Sequence, residues 1–474
     1  MSTDLSKSMS KSDLGGDRLP SSFRDPNGYV FYNQTTKTTQ RIILPSYYDQ
    51  YASLMENGLY NHLADNGYLV RHELLHQTVN KMIIEPQQIP LITYSYEWSF
   101  ELLKDAALLT LLIAKKALAY GMCLKDATSY NVQLYQGRPI FIDTLSFDFY
   151  QEGSPWAAYG QFCRHFLAPL LFMKYKTMMA AKLLVNYMDG FPMDFISSVL
   201  PLRTHFSPFI KMNVHLHAKK LKQSNTNQEM RSIPMLSKRK LQYMLDYMVF
   251  FVNSLSYKKN KTEWSHYYHH TNYSPAAFDT KTQVISQWVD RIGAKTLWDV
   301  GSNNGYFSRA ISSHVTRVIA TDIDATAIDE QYKMNKEKKI SHVTPLIVDI
   351  TNPSPAIGFD NKERPSFTER LLHQNIDCVL ALALIHHLCL SNNCTFAMIL
   401  SYFKQISPFL IIEFVPPEDS WAEVLLARKR ESRSLFNFYH KANFELACQE
   451  YFIILSKQAI PGSTRTLYLL KAFE

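Results

Sequence analysis

Three acidic side chains, each closing a short apolar run, offer the clearest chemistry in this sequence. Asp299 ends Leu297-Trp-Asp-Val and leads into Gly301-Ser-Asn-Asn-Gly305, Asp322 ends Val318-Ile-Ala-Thr, and Asp349 ends Pro345-Leu-Ile-Val. Carboxylates at strand ends accept hydrogen bonds from ligand hydroxyl and amino groups, and glycines in a strand-to-helix turn remove Cβ atoms where a ligand approaches the backbone. Gly301 and Gly305 fit that role, and Asn303 between them tolerates left-handed backbone better than most residues. Ile323 and Ile350 follow the second and third acids and belong to the same edge. A fourth run reaches Ala383, Leu384 and the pair His386-His387, and a fifth delivers Glu413. An imidazole poised near neutral pH can take an acceptor's proton; the competing reading has one His capping the next helix and the other shaping the pocket. Glu413 either binds acceptor or pairs with Arg428 or Arg430.

Such edges need a sheet. From about residue 274 onward, apolar runs at 296–300, 317–321, 343–348, 377–383 and 409–415 alternate with segments long enough for helices. That alternation predicts a parallel sheet covered on both faces. Runs 450–457 and 464–471, joined by Pro461-Gly-Ser463, predict a closing antiparallel hairpin. The charged insertion 361–374 between the third and fourth strands suggests no role. Upstream, 28–44 reads as a hairpin, 47–66, 98–120 and 167–187 as helical, and 131–145 as a second hairpin. The expected division is a disordered tail (1–22), a mainly helical α+β domain (23–222), a basic linker with a helix (223–273) and an α/β domain (274–474).

Composition narrows the class. With 46% hydrophobic residues over 474 positions there is apolar material for two or three cores. Six cysteines without CxxC or zinc-finger spacing suggest a reduced, cytoplasmic protein and no metal. The polar N-terminus has no signal-peptide h-region, and no apolar run approaches the length of a bilayer span. The net charge of +8 is concentrated in 211–261, where eleven Lys and Arg face only Glu229 and Asp246. That stretch is either a solvated linker face or a surface for nucleic acid.

The segment from Asp299 to Gly305 resembles motif I of class I S-adenosylmethionine-dependent methyltransferases, with Asn303 at the middle glycine. The resemblance implies S-adenosylmethionine as cofactor, with ribose hydroxyls on Asp322, adenine beside Asp349 and Ile350, and the methionine end along Ala383. It implies catalytic residues among His386, His387 and Glu413, with the base one of the two histidines. The aromatic stretch Trp264, Tyr267, Tyr268, His269, Tyr273 is either a lid over that pocket or a core strap. Over its full length, through Tyr96-Glu-Trp-Ser-Phe100 and Phe141-Ile-Asp-Thr-Leu-Ser-Phe147, the chain is similar to methyltransferase proteins of the nodulation host-specificity type.

A second resemblance lies in Asp126-Ala-Thr-Ser-Tyr-Asn131 followed by Ile140-Phe-Ile-Asp143, which is similar to the catalytic loop and metal-binding Asp of protein kinases. Leu124-Lys125 stands where His-Arg is usual, no glycine-rich loop precedes it, and a plain helix and hairpin with a capping Asp explains the same residues. The function expected is methyl transfer to a small molecule or saccharide. Methylation of nucleic acid or protein, and a non-catalytic cofactor-binding or kinase-like scaffold, are the alternatives.

Overall fold

The structure, a computed structural model, describes residues 16–220, 235–257, 275–429 and 433–473. The aromatic stretch 264–273 lies outside them. Five antiparallel strands come first: β1 (Gly16–Arg18), β2 (Gly28–Asn33), β3 (Thr38–Ile43), β4 (His72–Gln77) and β5 (Met82–Pro86), in the order β1-β2-β3-β5-β4. Residues 16–18, expected in the tail, pair with β2. At the β2–β3 turn Asn33 Oδ1 accepts from the amides of Thr35 and Thr36, a local bond typical of Asn in turns. The helical stretch after β3 is two helices, Tyr48–Glu56 and Leu59–Asp65, because Gly58 adopts φ 85° between them.

The Phe100–Ala119 helix is the axis of the first half. Ser99 caps it by accepting from Leu102 N, Gly121 at φ 78° ends it, and its apolar residues are buried on nearly every side. Lys238–Ser254 packs along it, burying Leu241, Leu245, Met248 and Val252 and leaving its basic residues outward. After the axis, β6 (Met122–Leu124) pairs with β9 (Phe147–Phe149), and β7 (Val132–Tyr135) with β8 (Arg138–Phe141). The helix expected over 167–187 ends at Tyr175. Thr177 then caps a 3₁₀ segment, Met178–Asn186.

The second half is the expected α/β sheet: β10 (Thr296–Val300), β11 (Arg317–Asp322), β12 (Val343–Ile347), β13 (Cys378–Ala381), β14 (Phe409–Phe414), β15 (Phe452–Ala459) and β16 (Thr466–Ala472), ordered β12-β11-β10-β13-β14-β16-β15. The first five are parallel, and β16 runs antiparallel to β14 and β15. The chain turns back across β10, so β11 and β13 flank it and a crevice opens at their carboxyl ends. The last hairpin begins two residues later than the apolar run suggested. Residues 450–451 still belong to the helix Lys441–Tyr451, held in place by the buried Phe444 and Cys448.

One face of this sheet, including Trp298, Val379, Ile412 and Leu470, shares a continuous buried core with the Phe100–Ala119 helix. The opposite face, with Leu297, Leu380, Ile411 and Leu469, packs on the helix Pro275–Ile292. Polar bonds follow the first seam. Asp329 accepts from Glu101 N at 2.8 Å, Tyr332 donates to Asp105 at 2.8 Å, and Lys336 meets Asp105 at 2.6 Å. The insertion 361–374 is part of the seam too. Its helix Phe367–Leu372 carries Arg370, which pairs with Glu97 and donates to Ile92 O at 2.6 Å; the two side chains are 5% and 0% exposed.

Removing one partner of a buried pair leaves the other charge uncompensated, at a cost of about 3–5 kcal/mol. Arg370→Met should therefore destabilise the full chain by about that much in denaturant melts, and adding Glu97→Gln should restore part of the loss.

Candidate active site

β10 and β11 end side by side, and their termini build the centre of the site. Gly301 N and Ser302 N donate to Thr321 O at 2.8 and 3.0 Å, which ties the turn after β10 to β11. Asn303 then adopts φ 50°, the left-handed geometry its residue type suggested, and its amide donates to Asp322 Oδ2 at 2.8 Å. The other oxygen of Asp322 accepts from Asp324 N at 2.8 Å. Asp324 in turn caps the helix Ala325–Glu337 by accepting from Thr326 N and Ala327 N. Asp322 is thus fixed by the backbone on both sides.

A cavity of about 350 Å³ sits on this edge, lined by Asp299, Gly301, Asn303, Asp322, Ile323, Asp349, Ile350, Ala383 and His387 among others. Nine of the residues singled out by spacing therefore meet in one place. Burial pushes the Asp299 carboxyl up to about 7, against the bond donated by Ser308, and pushes Asp322 up to about 6 against its backbone donors. Asp349 accepts from the amide and hydroxyl of Thr351 at 2.9 and 2.6 Å. Ala383 is held at φ 48°, a conformation costly for a residue with a Cβ, where β13 turns into the cavity wall.

Three expected residues stand apart from the lining. Gly305 adopts φ 75°, and a Cβ there would lie 2.2 Å from the Gln331 side chain, so helix packing and backbone geometry explain this glycine rather than ligand approach. His386 is 1% exposed with Nδ1 unpartnered, its ring 4.0 Å from that of His387, and only His387 faces the cavity. Burial lowers the His387 imidazole to about 4, so it is neutral at physiological pH, below the near-neutral value expected of it from sequence. Glu413 makes its ion pair with Lys281, at 2.7 Å and with side chains 0% and 1% exposed.

Lys281 lines the cavity and was not among the expected residues. It lies on the helix Pro275–Ile292 one turn from buried Ala277 and one from buried Ile285, its Nζ 4.7 Å from the Phe307 ring. A lone charge inside an apolar i, i+4 stripe is the signal that could have found it.

No protein-family model matches the chain. It is 33% identical to the nodulation protein NoeA of Rhizobium meliloti (strain 1021) over 471 residues, 96% of this chain and 96% of that protein. Weaker likenesses to solved structures include the N-methyltransferase NodS from Bradyrhizobium japonicum WM9, at 13% identity and TM-score 0.31 over 43% of this chain and 100% of that one. The bifunctional kinase-methyltransferase WbdD gives 13% identity and TM-score 0.31 over 44% of this chain and 43% of that one.

Raised carboxyl pKa values mean that the folded state holds these protons more tightly than the unfolded chain. Their stabilising contribution is complete below the ordinary Asp value and is lost as pH rises through 6 to 7. Asp322→Asn, which cannot ionise, should gain stability over the wild type by about 3 kcal/mol between pH 4 and pH 8 in ligand-free melts.

Proposed function

The chain belongs to the family of the nodulation protein NoeA, and we propose that it transfers a methyl group from S-adenosylmethionine to a small-molecule acceptor of saccharide-like chemistry. The observation that supports this most is the cavity at the carboxyl ends of β10 to β13, which gathers three strand-end carboxylates around a glycine-containing turn. Its volume suits a ligand of nucleoside and amino-acid size. The donor set fits as well. Asp322 is positioned to accept from vicinal ribose hydroxyls and Asp349 from an exocyclic amine, while half-exposed Ile323 and Ile350 offer flat apolar contact.

The cofactor supplies a methyl group on a sulfonium leaving group, so positioning governs most of the rate. Asp299 opposes a ligand ammonium, and such a partner favours its ionised form. Lys281, held by Glu413, keeps the cavity wall beside Phe307 in one arrangement. His387 takes the acceptor hydroxyl's proton. Phe278, Leu382, Leu384, Leu388, Ser391 and Asn392 also line the cavity, an apolar wall beside His387 that suits a small acceptor. The basic groove formed by Lys115, Lys116, Lys238 and Arg239 shares no lining residue with this cavity.

Calorimetry on the full chain tests the reading. S-adenosylhomocysteine should bind in the micromolar range, and Asp322→Ala should weaken it about 10- to 100-fold. Affinity should rise between pH 5 and pH 7, because hydroxyl donors favour the ionised Asp322. With an acceptor in hand, His387→Ala should cut turnover about 100-fold or more while leaving cofactor affinity near wild type. A wild-type chain that binds neither S-adenosylmethionine nor its product at millimolar concentration sinks the proposal.

A further inference from the structure

Asp126, Asn131 and Asp143 take no part in the methyl-transfer site. In protein kinases a glycine-rich loop between the first two strands covers the phosphates and a Lys on the third strand contacts them. An Asn of the catalytic loop and an Asp beyond it hold magnesium. The scaffold here is of that kind: the sheet β1-β2-β3-β5-β4, the Phe100–Ala119 helix, then the β6–β9 and β7–β8 pairs, with Asp126 and Asn131 between β6 and β7 and Asp143 after β8.

Each ligand position is spent on a protein partner. Arg41 on β3 ion-pairs with Asp143 and, at 2.6 Å, with Asp25; the Arg41 and Asp143 side chains are only 12% and 17% exposed. Asp143 also accepts from Ser146 Oγ and from Leu145 N at 3.1 Å. Asn131 donates to Ser146 at 3.1 Å, and Asp126 accepts from Thr128 N at 3.0 Å. The segment joining β1 to β2, residues 19–27, has Pro20 and Pro26 and no glycine.

The mouth of the cleft is bridged from the other half of the chain. Glu363 takes a two-pronged bond from Arg24, at 2.7 and 3.0 Å. Arg364 donates to Ser21 O at 2.9 Å, and its guanidinium lies 4.5 Å from the ring of Tyr130, the neighbour of Asn131. Phe359 packs against Phe23 at 5.7 Å between centroids with the rings tilted by 48°, and Arg370 holds Glu97. Residues 359–370 therefore stitch the β1–β2 segment to the loop before β7, across the entrance a nucleotide would use.

We propose that the N-terminal half is a phosphotransferase-like cleft closed in cis. Arg41 takes the place of a metal ion at Asp143, and the 359–370 strap of the methyltransferase sheet seals the entrance, so the half serves as a rigid platform and not as a nucleotide-binding enzyme. A guanidinium held by two carboxylates cannot exchange with a divalent cation without leaving a buried charge unpaired.

Scanning fluorimetry and calorimetry on the full chain, with Mg·ATP and Mn·ATP at millimolar concentration, decide it. The expected result is no saturable binding and no shift in melting temperature with either. In parallel, Arg41→Leu should lower the melting temperature by several degrees or prevent folding, and Arg41→Leu with Asp143→Leu should recover part of the loss. Saturable Mg·ATP binding by the wild type that Asp143→Asn abolishes overturns the proposal, as does an Arg41→Leu protein that melts like the wild type.

Discussion

A parallel sheet leaves no face for water, and most of this molecule follows from that constraint. Side chains alternate along β10, β13 and β14, so Trp298, Val379 and Ile412 point one way and Leu297, Leu380 and Ile411 the other. The helix Pro275–Ile292 covers the second set. The first set is covered by the sheet's own helices together with the apolar mass around Phe100–Ala119, in one uninterrupted core. The N-terminal half is therefore structural material for the C-terminal one, and the polar seam of Glu97, Glu101 and Asp105 fixes the register in which they meet.

The same packing sets the electrostatics of the cavity. Asp299 and Asp322 have lost most of their hydration, and the backbone amides that hold Asp322 compensate only in part. A ligand that brings hydroxyl or ammonium donors relieves that deficit. These carboxylates are held in place by the backbone at some expense to the stability of the fold.

What could be read from the sequence was what local chemistry determines. An acid after an apolar run gave Asp299, Asp322 and Asp349, and the turn preference of Asn303 gave its left-handed backbone. What could not be read depends on partners far away in the chain. Glu413 finds Lys281 132 residues away and Arg370 finds Glu97 273 residues away, and no local pattern says which charge meets which. Gly305 had the right type for a ligand-facing turn, yet its constraint is Gln331. His386 and His387 are identical in type, and only the turn His387–Ser391 that follows β13 decides which faces the cavity. Arg41 has a role only because β3 lies beside Asp143, a neighbour 102 residues away in sequence.

The Glu97 and Arg370 pair also governs inheritance. Each residue is the counter-ion of a buried charge in the other half, so a hybrid that joins the first half of one relative to the second half of another carries an orphaned charge wherever the two lineages differ at this pair. The basic linker and helix of 223–273 would look like a natural crossover point for recombination. A cut there still separates Glu97 from Arg370, so the two halves are not interchangeable parts.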